Sequence, residues 1–147
     1  MSSESSPTSP VPREQLTTIA TQVCDTVFDG VTQYDHDKVA EWNSRVINTV
    51  LKSLIDAVTP SGETDNKVDS AIDASKPTYR FSVTSTLIQQ DFSNKDDSTP
   101  PLGRRGMHCA SGAFWDSQHD GMWTYKYNGE DKGLELVLNI AWFKSFT

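Results

Sequence analysis

Apolar residues in the first third of the chain recur every three or four positions. Leu16, Ile19, Ala20, Val23 and Val27 share one face of a helix that begins near Arg13. Pro12 suits its first turn and Gly30 its end. Asp35 is a candidate N-cap for a second helix. That helix carries a broad stripe of Val39, Trp42, Val46, Ile47, Val50, Leu51, Leu54 and Val58, and Pro60 ends it. Two amphipathic helices joined by a short polar link form a hairpin whose stripes need a surface to cover.

From Tyr79 the period changes to two. Tyr79, Phe81, Val83 and Leu87 alternate with Arg80, Ser82, Thr84 and Thr86, as in a strand with one buried face. Met107 to Asp116 reads as a second strand running into a polar turn at Ser117–Gly121. Met122 to Tyr127 is a third, with Trp123, Tyr125 and Tyr127 on one side. Asn128-Gly129 signals a turn that the residues to Gly133 lengthen. Leu134 to Phe143 is a fourth strand, with Leu134, Leu136, Leu138, Ile140 and Trp142 on one face. Val137, Ala141 and Phe143 make its other face apolar as well, so it belongs at the centre of the sheet. The fold class is therefore α+β, with two N-terminal helices packed on a four-stranded antiparallel sheet in the order ααββββ.

Three polar stretches interrupt this pattern. Residues 1–12 are rich in Ser, Pro and Thr and read as a disordered tail, leaving 13–147 as one domain. Residues 59–78 are too long for an ordinary connection and read as an insertion, with a helical turn at Asn66–Ala74 as one option. Residues 91–105, with Asp96-Asp97 and Pro100-Pro101, form a long loop rather than a tight hairpin.

The chain has 147 residues and a net charge of −7. Its basic residues are scattered, with Arg104-Arg105 the one adjacent pair, which argues against nucleic acid as a partner. No apolar run reaches the length of a membrane span, and the first residues lack the basic and apolar regions of a secretory signal. Cys24 and Cys109 lie in different contexts and read as free thiols of a cytosolic protein.

A four-stranded sheet covered on one face leaves its other face and its edges open. A symmetric dimer is the commonest remedy. The 91–105 loop, at about 3.3 Å per residue, gives the second strand the reach to cross to another subunit. In that strand, Ala110 to Ala113 are nearly all small. Small residues fill a core poorly, and an edge strand that carries them is a place where a guest peptide can add itself to the sheet.

The stretch Met107-His108-x-Ala110-Ser111-x-x-Phe114-Trp115-Asp116, followed by Asp120-Gly121, resembles the second-strand signature of the Tctex-type dynein light chains. Tyr34-x-His36-x-Lys38-Val39-x-x-Trp42 resembles that family's entry into its second helix, and Lys76-Pro77 with the strand to Gln89 its first strand. The resemblance covers about residues 13–147. It implies a homodimer that exchanges its second strand between subunits and offers the free edge of that strand to an extended segment of the dynein intermediate chain. The docking and dimer strand would then be Met107, His108, Cys109, Ala110, Ser111, Gly112, Ala113, Phe114 and Trp115. A non-catalytic, cytoplasmic, microtubule-associated role follows, with cargo proteins as further partners and no cofactor. The 59–78 insertion and the longer loop before Gly106 depart from the animal members.

Enzymatic readings are weaker. His108 and Cys109 are neighbours on a strand and point to opposite faces, so with Asp116 they do not make a nucleophilic set. His36, His108 and His119 lack zinc-ligand spacing, and Asp91 with Asp96-Asp97 lacks that of a calcium loop. Trp42 and Trp115 read as core residues, whereas His108 suits either guest contact or packing between subunits. A dimerisation hub on the same scaffold, independent of dynein, is the alternative function.

Overall fold

Helix α1 spans Arg13–Val27 and buries Leu16, Ala20, Val23, Cys24 and Val27. The computed structural model describes residues 9–59, 78–90 and 110–145. The 1–8 part of the tail, the 60–77 part of the first insertion with its optional helical turn, and residues 91–109 lie outside the described residues. Pro12 stands at the N-cap of α1, one position before the first turn, and its carbonyl accepts from the Leu16 N–H. Composition places Ser9–Pro12 in the tail, yet Val11 is buried with the core residues. The Ser9 hydroxyl bonds the Val11 carbonyl at 2.6 Å and accepts from its N–H at 3.3 Å, folding the chain back over the helix start. A single apolar residue among Ser and Pro has no period, so the pattern gave no sign of it.

Phe28 closes α1, its N–H bonded to the Cys24 carbonyl, and Gly30 turns the chain at φ 72°, a conformation glycine adopts without steric cost. Asp35 does cap the next element: its carboxylate accepts from the Asp37 N–H at 3.0 Å. What it caps is a short 3-10 turn, His36–Lys38, that feeds α2 (Val39–Val58). Trp42, Val46, Val50 and Leu54 of α2 are buried, one residue per turn. Thr59 ends the helix, giving both its N–H and its hydroxyl to the Ile55 carbonyl.

Three antiparallel strands are described, not four: β1 (Tyr79–Gln89), β2 (Gly121–Gly129) and β3 (Leu134–Lys144), in the order β1-β3-β2. Leu134, Leu136, Leu138, Ile140 and Trp142 of β3 are all buried and face the helices. The register aligns Val83 and Trp123 with Ile140, and Leu87 and Tyr127 with Leu136, so one layer of side chains crosses all three strands. Phe28 completes this core, stacked on Tyr127 and edge-on to Trp42 with both ring centroids 5.7 Å away. Polar contacts tie the layers together. Tyr125 Oη and Thr21 Oγ1 are 2.9 Å apart, and the Ser85 hydroxyl donates to Asn43 at 2.8 Å. A 3-10 turn, Glu130–Lys132, and Gly133 at φ 70° join β2 to β3, the lengthened turn that the sequence indicates.

Glycine brackets β2. A Cβ built on Gly121 would stand 2.5 Å from Cζ2 of Trp142, and one on Gly129 would stand 2.8 Å from the Leu134 carbonyl oxygen. The indole of Trp142 thus lies directly on the Gly121 backbone, covering the place where a side chain is missing.

Candidate docking site

The predicted second strand divides in two. Met107, His108 and Cys109 lie outside the described residues. Ala110, Ser111, Gly112, Ala113, Phe114, Trp115 and Asp116 carry no strand pairing among the described residues. A strand needs a partner for its N–H and C=O groups, and β3 already has β1 and β2 on its two sides. Of the four strands expected in an exchanged dimer, three are formed among the described residues, and the 110–116 part of the second is unpaired there.

That segment meets the sheet face turned away from the helices. Ser111, Gly112, Ala113 and Trp115 line one side of a groove of about 340 Å³. The other side is built by Ser82 and Thr84 of β1, Met122 of β2, and Asn139, Ala141 and Phe143 of β3. The register places Met122 and Ser82 beside Ala141, and Thr124 and Thr84 beside Asn139. The groove is apolar toward the Phe143 end and polar toward Asn139, which accepts from the Thr124 hydroxyl at 2.7 Å. Trp115 does not enter the core: it is 36% exposed, and its ring stands 6.4 Å from that of Phe143. Helical spacing takes Trp42 into the core, whereas strand alternation does not take Trp115 there, because the helix-facing layer is already filled by β1, β2 and β3. Phe114 is fully exposed and Met122 is 52% exposed.

Where the segment ends, the chain is held firmly. Asp116 accepts from the Gln118 N–H at 3.0 Å and approaches His119 Nδ1 at 2.6 Å. The Asp116 carbonyl accepts from the N–H groups of His119 and Asp120. The His119 bond, then that from Gln118, holds the Asp116 carboxyl below the usual carboxylate range. Asp120, only 6% exposed, accepts from the Asp116 N–H at 2.9 Å and from the Lys144 N–H at 2.7 Å. The sequence brings Asp120 to notice within the family signature, and Asp116 there and in the rejected nucleophilic set. Their hydrogen-bonding work had a weak local sign, since Asp before two polar residues favours a turn in which its side chain bonds the N–H two residues on.

Other chemical candidates come apart. Cys24 is buried and its thiol is pushed up to about 12, first by burial and then by the charge of Asp25. Cys109 and His108 lie outside the described residues, and His36 stands at the helical hairpin beside Tyr34. Among the described residues no group of three or more His, Cys, Asp or Glu could hold a metal ion. None of their helices is long and apolar enough to cross a membrane. Among the described residues, the backbone N–H and C=O groups of Ala110–Trp115 have no strand partner, and the small side chains of Ser111, Gly112 and Ala113 lie along the groove.

These features define a small α+β domain with an unpaired segment lying against one face of its sheet. The chain matches the Tctex-1 family over residues 10–143. It is 32% identical over 133 residues to a Schizosaccharomyces pombe protein named dynein light chain Tctex-type, covering 90% of this chain and 95% of that one. A Dictyostelium discoideum protein of the same name is 23% identical over 127 residues, 86% of each chain. The chain belongs to the Tctex-1 family.

Proposed function

We propose that this protein is a non-catalytic light chain of cytoplasmic dynein that acts as a homodimer. The observation that carries this reading is the unpaired segment Ala110–Asp116 beside a sheet with open edges. Each copy gives its Met107–Trp115 strand to the other, where it extends the sheet along the free edge of β2. An extended segment of the dynein intermediate chain then adds to the outer edge of that strand. Its affinity comes from backbone hydrogen bonds, and its fit from the room above Ala110, Ser111 and Gly112. The exposed Phe114 and Met122 support the dimer, because apolar groups of that size gain most from cover by a second copy. The names of the two relatives support the motor as the setting. A dimer holds two such segments side by side, so two weak sites act as one strong one, and surfaces outside the docking strands remain for cargo. Work of this kind takes place in the cytoplasm on microtubules.

The test is purification of the tagged protein from its own cells, with mass spectrometry of what accompanies it, beside the Ser111→Lys variant. Dynein heavy and intermediate chains should accompany the wild type. The variant should lose them and stay folded, since a long charged side chain at an exposed position blocks the groove and leaves the core intact. Wild-type eluates without dynein subunits but with other proteins would move the function to a hub outside the motor. Retention of the intermediate chain by the variant would remove Ser111 from the docking site.

A further inference from the structure

The turn between the docking segment and β2 does more than reverse the chain. We infer that Asp120 is a positioning residue: its buried carboxylate fixes the direction in which the docking segment leaves the sheet, and so sets the geometry of strand exchange and of peptide docking. The inference rests on the dimeric docking function proposed above and names the residue that builds its site.

Three observations carry it. First, the two carboxylate oxygens have separate tasks. Oδ2 accepts from the Asp116 N–H, the last residue of the docking segment, and Oδ1 from the Lys144 N–H at the end of β3. One side chain therefore ties the segment to the central strand of the core. Second, only an acceptor-only group can serve both N–H donors at once; an amide would turn one acceptor into a donor facing another donor. Third, the residue is 6% exposed and is the one buried charged or polar residue among those described. A buried carboxylate is tolerated where its hydrogen bonds are satisfied, and these bonds are charge-assisted. Gly121 follows it under the Trp142 indole, so the chain on the far side of Asp120 is pinned as well. The turn between Asp116 and Gly121 is then a rigid bracket, and only the chain before Asp116 has to change place when the strand passes to a second copy.

Peptide-docking geometry is sensitive to such a bracket, because a strand that leaves at the wrong angle loses register along its whole length. The experiment uses the full-length chain with Asp120→Asn and Asp120→Ala. It reads amide hydrogen exchange by NMR, dimer dissociation by sedimentation, and binding of a synthetic intermediate-chain segment. Both variants should speed exchange at the Asp116 or Lys144 amide at least tenfold and leave Leu136–Ile140 protected. The dimer and the peptide complex should each weaken at least tenfold. If dimer and peptide affinities stay within twofold of wild type while those amides open, the positioning role is overturned. Loss of protection across Leu136–Ile140 would also overturn it, by showing that Asp120 supports the core in general. A wild-type dimer that ignores the intermediate-chain segment would refute the motor reading alone, and dimer affinity would then decide the role of Asp120. A monomeric wild type would overturn both.

Discussion

Replacing Gly121 with alanine tests the close contact between the start of β2 and Trp142. The added Cβ would stand 2.5 Å from Cζ2, 2.8 Å from Cε2 and 3.0 Å from Nε1 of Trp142. The indole cannot step aside freely, because it is buried between the helices and the sheet. Overpacking of this kind costs about 1–3 kcal/mol. The same change restricts the unfolded chain and returns about 0.4–1 kcal/mol. The net loss is about 1–2 kcal/mol, which lowers the melting temperature by about 2–8 °C in a chain of this size. Thermal unfolding followed by circular dichroism measures it, with all variants at one protein concentration so that self-association cannot differ between them through mass action. Gly112→Ala is the control: nothing lies within 4 Å of its added Cβ, so its melting temperature should stay at or slightly above the wild-type value. Trp142→Leu in the Gly121→Ala background should recover part of the loss, giving a coupling of about 1 kcal/mol between the two sites. Gly121→Ala melting with the wild type would refute the close packing.

Two further predictions concern the other end of β2. Phe28→Ala removes a fully buried ring that touches Trp42 and Tyr127, and should cost about 3–5 kcal/mol by urea denaturation; a loss below about 1 kcal/mol would contradict its place in the core. Tyr127 is pushed up to about 12 by burial first, then by the charge of Asp25. A group whose pKa is raised on folding adds stability that is complete below its unfolded value near 10 and fades as pH climbs toward about 12. Alkaline unfolding should therefore begin above about pH 10, and Asp25→Asn should bring the tyrosinate absorbance of Tyr127 to lower pH. Tyr127→Phe identifies its share of the signal, and titration of Tyr127 near 10 in the wild type would refute the burial argument.

Much of the fold is legible in the residues because it rests on period. Leu134, Leu136, Leu138, Ile140 and Trp142 face the core as their alternation requires, and Trp42, Val46, Val50 and Leu54 do so at helical spacing. Phe28 continues the four-residue spacing of Leu16, Ala20 and Cys24 one position past the end of α1, so the period itself pointed to the core. Val11 was not legible, because it stands alone among Ser and Pro. Asp120 reads as a turn residue, and nothing local shows that its two oxygens reach N–H groups four and twenty-four residues away. The misplacement of Trp115 has a different origin. Alternation tells which side chains share a face, but not whether a strand finds a partner. Ala110–Asp116 pairs with none of the three described strands, so its alternation does not decide where its side chains lie.

Amide hydrogen exchange of Ala110–Trp115 tests most directly whether this segment becomes a strand in a second copy. The wild-type dimer should protect alternate amides of the segment, and a synthetic intermediate-chain segment should protect the remaining ones. Exchange as fast as in an unstructured peptide, in the dimer and with the segment added, would contradict docking through this strand.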